Sequence, residues 1–449
     1  MKNIKDLINF GVVGLGKTGI AAYNFLEKLG KKVICHDDNT NSLQEFVANF
    51  TDSNLRDLKD PSWRNLDAIV VSPGVPLKWP HPHPIVNFAA QYNIPIISDI
   101  DLYYQHNSSK DYIAITGTNG KSTCTALSSY IFQSNGSDYI VCGNIGDAIC
   151  NQSFDHQGYI LELSSFQLES TQKLKPSVAL CLDITEDHLD RYKNFDDYAA
   201  AKERIFSYLL SSSHAILSID TKATLNIFNK ITLPNKIAIS TNIIQDGVIT
   251  AIDDKLIDNY FDHKIYTLPY NRNLAGEHNK QNITACYAIA RAKNVAANQI
   301  IKAIASYKGL PHRLQYIASS GNIEFYNDSK ATNNNSTQKA LSSFSNIYWL
   351  AGGIAKSQNF EELEHLLGNI EKAYFFGRDK LLFANHFKDK LNYTLCENLQ
   401  EAFELAYKEA NIVKKQCTIL LSPAAASLDQ FKNFEERGQL FVNLVKSKL

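Results

Sequence analysis

The sequence predicts an α/β protein of three domains, each built on a largely parallel sheet, and three observations lead there. Short apolar, β-branched runs alternate with amphipathic stretches along the chain, the rhythm of strands joined by crossover helices. That rhythm is interrupted twice, by the polar stretch Gln105-His106-Asn107-Ser108-Ser109-Lys110-Asp111 and by Gly309-Leu310-Pro311. A chain of 449 residues also exceeds what one hydrophobic core organises. The expected domains span 1–99, 100–309 and 310–449.

In chain order, FGVVGLG (10–16) reads as a buried strand, 18–29 as an amphipathic helix and KKVICHD (31–37) as the next strand. LDAIVVSPG (66–74) is a further strand ending in a turn. The second domain opens on the strand Tyr112–Thr116 and continues through YILEL (159–163) and VALCLDI (178–184). The third carries strands at IYWLAGG (347–353), KAYFFG (372–377) and CTILLSP (417–423), separated by helical stretches.

Composition narrows the class of partner. Hydrophobic residues make up 44% and charged residues 20%, and the formal net charge is -1. No basic excess points to nucleic acid or an acidic membrane surface. The 22 tyrosines and 23 phenylalanines lack an accompanying basic stripe, which argues against a base-stacking platform. No run approaches the roughly 18 apolar residues of a membrane span, and the N-terminus lacks the features of a signal peptide. Eight cysteines without a CxxC pair fit free thiols in a reducing compartment, so a cytoplasmic location is expected. The expectation is a monomer acting on small molecules, with neither nucleic acid nor membrane as partner.

The strongest local signal is Gly117-Thr118-Asn119-Gly120-Lys121-Ser122-Thr123, which follows a β-branched strand and opens a helix. A phosphate-binding loop needs that context. Its backbone N–H groups converge on phosphate oxygens, the helix N-terminus adds partial positive charge, Lys121 neutralises phosphate and the Ser122 hydroxyl suits Mg²⁺. Two residues separate its glycines where the long form has four. Further along, Glu162 stands at a strand end, followed by Ser164 and Gln167, and His188 lies in a polar turn after another strand. Parallel sheets gather functional groups at such carboxyl ends.

A second signal, Gly14-Leu15-Gly16-Lys17-Thr18-Gly19 with Asp37 about twenty residues on, is by itself the dinucleotide fingerprint and implies NAD. The segment Trp79-Pro80-His81-Pro82-His83-Pro84 places two histidines in what its prolines suggest is an extended loop, and does not read as a metal site.

Taken together, GTNGKST, LELSSFQLE, TEDHLDRY, GEHN (276–279), GLPHR (309–313), NDSKATN (327–333) and SPAAASLDQFKNFEERG (422–438) resemble the Mur ligases. The last two motifs are similar to the D-glutamate-adding branch. The resemblance implies a Rossmann-like UDP-binding first domain, a P-loop ATPase-like central domain and a Rossmann-like C-terminal domain that binds the amino acid. It implies ATP as co-substrate, two Mg²⁺ ions, and ligation of D-glutamate to UDP-N-acetylmuramoyl-L-alanine through an acyl phosphate. On this reading the fingerprint holds the UDP pyrophosphate instead of NAD.

The resemblance assigns catalytic roles to Lys121, His188 and Lys202, and metal contacts to Ser122, Glu162, His188 and Lys202. Lys202 would be carbamylated, although by itself it reads as an exposed helix lysine. ATP would meet residues 117–123 together with Asn279, Asn282, Arg313 and Asp328, and a hinge near 309–313 would close the third domain over it. The UDP substrate would meet Lys17, Thr18, Asp37, Ser72, Pro73, Gly74, Asn144, Ser164 and Gln167. D-Glutamate would meet Thr332, Lys356, Ser427, Leu428 and Phe434. One departure stands out. Asp38-Asn39 follows Asp37 where the family pattern carries Thr-Arg, which leaves recognition of the uracil side open. Alternatives at this point are a sibling ligase such as folylpolyglutamate synthase, an NAD-binding oxidoreductase and a nonenzymatic nucleotide sensor.

Overall fold

The computed structural model describes residues 4–50, 54–187 and 190–449. The chain divides into two compact units, one of residues 1–268 with 281–303, the other of residues 269–280 with 304–449.

The first unit contains two sheets. Its N-terminal sheet has four parallel strands in the order Lys32–His36, Asn9–Val13, Ala68–Val71, Ile96–Ile97. Both faces are covered, which is why these strands read as continuous apolar runs. Phe10, Val12 and Val70 pack with Ala21, Ala22 and Leu26 of the helix Lys17–Lys28. Val13, Ile69 and Val71 pack with Trp63 and Ile85 on the other side.

The three glycines of the fingerprint are not equivalent. A Cβ on Gly19 would lie 1.8 Å from the Gly14 carbonyl oxygen, so the helix seats on the turn only because position 19 has no side chain. A Cβ on Gly16 would meet nothing within 4 Å, so that position is open for something outside the chain to approach.

The second sheet has nine strands, in the order Lys264–Thr267, Lys255–Asp258, Val248–Ile252, Lys236–Ser240, His214–Ser218, Val178–Cys181, Asp111–Thr116, Gly158–Glu162, Tyr139–Gly143. The seven from Val248–Ile252 onward pair in parallel, whereas Lys255–Asp258 and Lys264–Thr267 form an antiparallel edge. Sequence patterning does not single out that edge, because Lys264–Thr267 is mostly exposed and lacks an apolar run.

The two sheets are joined through the helix Asp99–His106. The Asp101 carboxylate accepts hydrogen bonds from the backbone N–H groups of Gln172 (2.6 Å), Lys173 (2.8 Å) and Leu174 (3.2 Å), pinning this helix to a loop beyond the second sheet's core. Asp99 is buried beside it, and its Oδ1 has no hydrogen-bond partner among the described residues.

The second unit holds a six-stranded sheet in the order Gln315–Ser320, Ile323–Asn327, Cys417–Leu421, Ile347–Gly352, Ile370–Phe376, Tyr393–Leu395. Only its first pair is antiparallel. Helices Leu399–Ile412 and Phe434–Lys446 bury Phe403 and Phe441 against one face. Asn334–Leu341 and Lys380–Phe387 bury Leu341 and Phe383 against the other. The residues leading into this sheet are bent, with left-handed backbone at Gly309 (φ 75°), His312 (φ 63°) and Leu314 (φ 39°).

Two outcomes follow from the packing. Gly19→Ala is expected to destabilise the N-terminal sheet by about 3 kcal/mol, the upper end of the range for overpacking, because the contact is with backbone. Gly16→Ala should stay within about 1 kcal/mol of the parent in the same chemical denaturation; equal losses would contradict the assignment.

The second concerns pH. Burial pushes the Asp99 carboxyl up to about 7, opposed by backbone N–H groups at its helix start. The folded protein therefore keeps a proton that the unfolded chain has released, and stability falls as pH rises from the usual carboxylate range to about 7. In thermal melts from pH 4 to 8, Asp99→Asn is expected to flatten that fall, by on the order of 1–4 kcal/mol. A variant that parallels the parent at every pH would exclude Asp99 as the cause.

Candidate active site

The loop 117–123 starts where the strand Asp111–Thr116 ends, between the neighbouring strands Gly158–Glu162 and Val178–Cys181. Gly117 (φ 145°) and Gly120 (φ 82°) adopt backbone that side chains rarely permit. A Cβ would also strike Leu182 Cβ at 2.6 Å from Gly117 and Asn282 Oδ1 at 2.3 Å from Gly120. The chain can thus turn sharply into the helix Lys121–Ser134, whose first N–H groups face the loop. Asn119 and Thr123 are half-buried along this turn, and Ser122 is buried at the helix start.

Thr118 anchors the loop to the next strand end. Its N–H donates to Asp183 O (2.8 Å), and its hydroxyl accepts from Thr185 N (3.0 Å) and meets the Tyr198 hydroxyl at 3.1 Å. Lys121 Nζ donates to the carbonyls of Gly117 (2.9 Å) and Thr118 (2.8 Å).

Sequence alone reads Lys202 as an exposed helix lysine, and the structure corrects this. The helix Phe195–Glu203 turns Tyr198, Ala201 and Lys202 inward, leaving Lys202 2% exposed. Its Nζ donates to the same Gly117 carbonyl at 2.8 Å and stands 4.7 Å from the Tyr198 ring centroid. Burial, reinforced by the nearby positive charge of Lys121, lowers the Lys202 ammonium to about 7. Tyr198, one turn before Lys202, touches both the lysine and Thr118, a role that its helical spacing alone would not reveal.

Glu162 is buried at the end of its strand, where Oε1 accepts from Asn144 Nδ2 at 2.8 Å. Its Oε2 is buried with no hydrogen-bond partner among the described residues. A carboxylate oxygen kept dry and unpaired beside a serine-bearing phosphate loop is a donor that suits a hard divalent cation. The described residues contain no group of three metal-binding side chains. A partial protein shell of this kind matches Mg²⁺, which usually takes one or two carboxylates and completes its coordination with phosphate and water. His188 lies outside the described residues.

A cleft of about 550 Å³ opens at the fingerprint turn of the same unit. Of the residues expected to meet a nucleotide-linked substrate, Lys17, Thr18, Asp37, Ser72, Pro73, Gly74, Asn144 and Gln167 line it. Ser164 does not. Its hydroxyl accepts from Gln167 N (3.2 Å) and Gln167 Oε1 accepts from Ser164 N (3.0 Å), a capping box that begins the helix Ser165–Ser170. Lys17 Nζ reaches the Gly146 carbonyl across the cleft. Asn144 belongs to both places, lining the cleft while it holds Glu162.

The Asp37-Asp38-Asn39 corner acquires a clear structure. Asp37 accepts from the N–H groups of Leu15 and Asn39, the latter at 2.7 Å. Asn39 caps the helix Thr40–Asn49 through Asn41 N at 2.9 Å. Asp38 meets His36 Nε2 at 3.2 Å and His83 Nε2 at 3.0 Å, and these imidazole bonds hold its carboxyl below the usual range against a partial burial penalty. His83 is therefore more than part of an extended loop. It is buried at the start of the helix Pro84–Tyr92, where Nδ1 accepts from Ile85 N at 3.2 Å, so Nε2 carries the hydrogen donated to Asp38.

In the second unit, Asp328 is buried and accepts from Leu314 N (3.0 Å) and the Ser422 hydroxyl (3.0 Å). Burial pushes its carboxyl up to about 7, with Arg313 among the opposing influences. Asn279 is buried and donates to Ala275 O at 2.7 Å. In the first unit, Asn282 packs on Gly120 and its Oδ1 accepts from the Cys124 thiol at 3.3 Å.

Thr332 follows Lys330 in a tight turn, and Lys356 is exposed just beyond the short strand Ile354–Ala355. That strand pairs with Ala425–Ala426, which leads directly into buried Ser427 and exposed Leu428. Phe434 opens its helix with Lys330 Nζ 5.1 Å above the ring.

Arg437 holds this region together, and residue-by-residue reading of the motif passes it over. It is fully buried and donates to Ser329 Oγ (3.0 Å), Ser329 O (2.8 Å), Gly352 O (3.2 Å) and Ala425 O (3.1 Å). The spacing Phe434, Arg437, Phe441, Leu444 on one helix face is the signal that marks it as buried.

Three family models match the chain in order. The Mur ligase MurD-like N-terminal domain matches residues 9–98, the Mur ligase middle domain residues 115–290, and the Mur ligase glutamate ligase domain residues 312–425. The UDP-N-acetylmuramoylalanine--D-glutamate ligase of Rickettsia bellii (strain RML369-C) is 44% identical over 441 residues, covering 97% of each chain. Its namesake from Rickettsia felis is 46% identical over 444 residues, covering 97% of this chain and 96% of the relative. Among solved structures, MurF from Acinetobacter baumannii superposes with a TM-score of 0.61 at 19% identity, covering 90% of this chain and 88% of that one. The UDP-N-acetylmuramate-alanine ligase MurC from Thermotoga maritima gives 0.59 at 16% identity, covering 99% and 100%. These two likenesses concern the fold. With all three of its domain models matched in order and relatives at this identity along almost the whole length, the chain belongs to the Mur ligase family.

Proposed function

We propose that this chain is an ATP-dependent ligase that adds D-glutamate to UDP-N-acetylmuramoyl-L-alanine in peptidoglycan biosynthesis, working in the cytoplasm as a monomer. The observation that carries the reading is the convergence of Lys121 and Lys202 on the Gly117 carbonyl, in a unit whose Glu162 keeps a buried, unpaired oxygen. The near-full-length similarity to ligases of that name supplies the substrates.

A carboxylate is a poor electrophile. Transfer of the ATP γ-phosphoryl group to a carboxylate oxygen of the alanyl terminus yields an acyl phosphate and ADP. The amine of D-glutamate then attacks the acyl carbon, and the tetrahedral intermediate expels phosphate and loses a proton to give the amide. The first step brings two anions together, which requires fixed positive charge. Lys121 and the N–H groups of residues 117–123 supply it at the phosphates. Bound Mg²⁺ would supply further positive charge against the phosphates. Ser122 and Glu162 would hold one ion, and His188 with Lys202 a second.

A neutral amine adds to the carbon of CO₂, forming an N–C bond and losing a proton to become a carbamate. Lys202, buried and lowered to about 7, can supply that neutral amine near physiological pH. The product is a carboxylate-like ligand for the second ion and no longer repels Lys121.

The open position at Gly16 would let the UDP pyrophosphate approach the start of the helix Lys17–Lys28. Lys17, Thr18, Asp37, Ser72, Pro73 and Gly74 would hold the nucleotide end, and Asn144, Ser164 and Gln167 the muramoyl-alanine end. Asn279, Asn282, Arg313 and Asp328 would serve ATP. Thr332, Lys356, Ser427, Leu428 and Phe434 would serve D-glutamate, on domains spanning 1–99, 100–309 and 310–449. An NAD-dependent reading would leave Lys121, Glu162 and Lys202 without work.

Phosphate release from ATP with UDP-N-acetylmuramoyl-L-alanine should be stimulated by D-glutamate well above L-alanine, L-lysine or meso-diaminopimelate. Lys121→Ala should lower kcat at least about 100-fold. Equal stimulation by all four amino acids would remove the specificity, and NADH oxidation without ATP turnover would remove the ligase.

For Lys202, the sign of the shift sets a pH test. A lysine lowered to about 7 is neutral above that pH, so a ¹³C-carbamate resonance from labelled bicarbonate should grow through pH 7, well below the ordinary lysine range. Lys202→Ala should be nearly inactive and regain activity with short carboxylic acids. Absence of both the resonance and the rescue would make Lys202 a structural residue.

A further inference from the structure

A cavity of about 250 Å³ opens between the Lys78-Trp79 loop and the helices Ser165–Ser170 and Phe195–Glu203. It shares no lining residue with the larger cleft, and no residue of the phosphate loop borders it. Lys78, Arg191, Lys193 and Arg204 line it with two carboxylates, Glu169 and Asp197. None of these six forms an ion pair among the described residues, so positive charge is left in excess.

Two of the cations are held in place. Arg204 donates to Leu168 O at 2.8 Å and Thr171 O at 3.3 Å. Arg191 donates to Gly74 O at 3.3 Å, with its guanidinium 4.5 Å from the Phe166 ring centroid. Neutral carbonyls and a ring fix these groups without cancelling their charge, so little ordering is left to be lost on binding. Between them, Tyr192 is 4% exposed with its hydroxyl facing Ser165 and Glu169, while Arg191 Nε is buried with no hydrogen-bond partner among the described residues. A buried donor without a partner is costly, and an oxyanion would satisfy it.

We propose that this cavity is a further anion site, taking a small phosphate-bearing ligand between Arg191, Arg204 and Tyr192, with Lys78 and Lys193 at its mouth. Both walls lead to the reaction machinery. Gly74, which accepts from Arg191, lines the substrate cleft, and the helix Phe195–Glu203 carries Ala201 on the cavity and Lys202 against the phosphate loop. An occupant would therefore be felt at both places. Glu169 is the opposing group, a partly buried carboxyl raised by burial despite the cations around it.

The test uses pyrophosphate with the full-length protein. Of three tryptophans, Trp63 and Trp349 are fully buried and Trp79, at the cavity, is 44% exposed, so red-edge emission reports Trp79. The protein titrated is the Lys121→Ala, Lys17→Ala double variant, which removes the cation of the phosphate loop and that of the larger cleft. A saturable change in Trp79 emission, with Kd below about 1 mM by calorimetry, is the expected result. Lys78→Gln with Lys193→Gln should weaken Kd about 10-fold. Glu169→Gln should tighten it several-fold, a gain that misfolding cannot imitate. No saturable binding, a Kd indifferent to the paired lysine changes, or weaker binding to Glu169→Gln would each overturn the site, whatever becomes of the ligase activity. Tighter binding of citrate than of pyrophosphate would overturn the phosphate class.

Discussion

Two lysine side chains share one backbone carbonyl, and most of the first unit is arranged around that contact. Lys121 and Lys202 both donate to Gly117 O, at 2.9 and 2.8 Å. Like charges at such proximity in a dry place are costly, and the protein meets that cost by depressing the more buried amine instead of separating the pair. The arrangement is possible because Gly117 turns where other residues rarely can, because Thr118 ties the loop to Thr185 and Tyr198, and because a helix face delivers Lys202 from 81 residues downstream of Lys121. An amine lowered to about 7 by burial beside Lys121 is poised for chemistry that an exposed lysine does not offer.

The cleft at the fingerprint turn uses the same physics. A strand end, a glycine turn and a helix N-terminus again present N–H groups, and the open position at Gly16 leaves room for an anion to approach. Asn144 links the two places, since it lines the cleft and also orients Glu162. The Glu162 oxygen it leaves unpaired is the one available to a cation. The cleft wall and the buried carboxylate are thus joined through a single amide side chain.

The second unit solves a different problem. Arg437 is a fully buried guanidinium bonded to three carbonyls and a hydroxyl, with the Asp429 carboxylate offsetting part of the cost of its burial. It gathers the ends of separate strands, and with them the loops bearing Thr332 and Ser427. Removing one partner from so buried a charge is costly, which makes such a hub rigid. Its remaining positive charge suits a region read as the binding place of a dicarboxylate.

The sequence by itself determined the parallel α/β architecture and the phosphate loop, because glycine spacing, strand runs and a helix start are local properties of neighbouring residues. It also determined the family, since seven motifs stand in order between residues 117 and 438. Lys202 was legible only by resemblance: nothing in YAAAKERI distinguishes a buried lysine from an exposed one until the helix face is docked. The antiparallel edge at 255–267, the imidazoles on Asp38 and the Arg437 hub were decided by tertiary structure, because each joins residues whose patterns look ordinary in isolation. Contacts such as His83 with Asp38, 45 residues apart, exist only once the chain has closed on itself. Burial then changes what those groups are chemically, and no local pattern encodes that change.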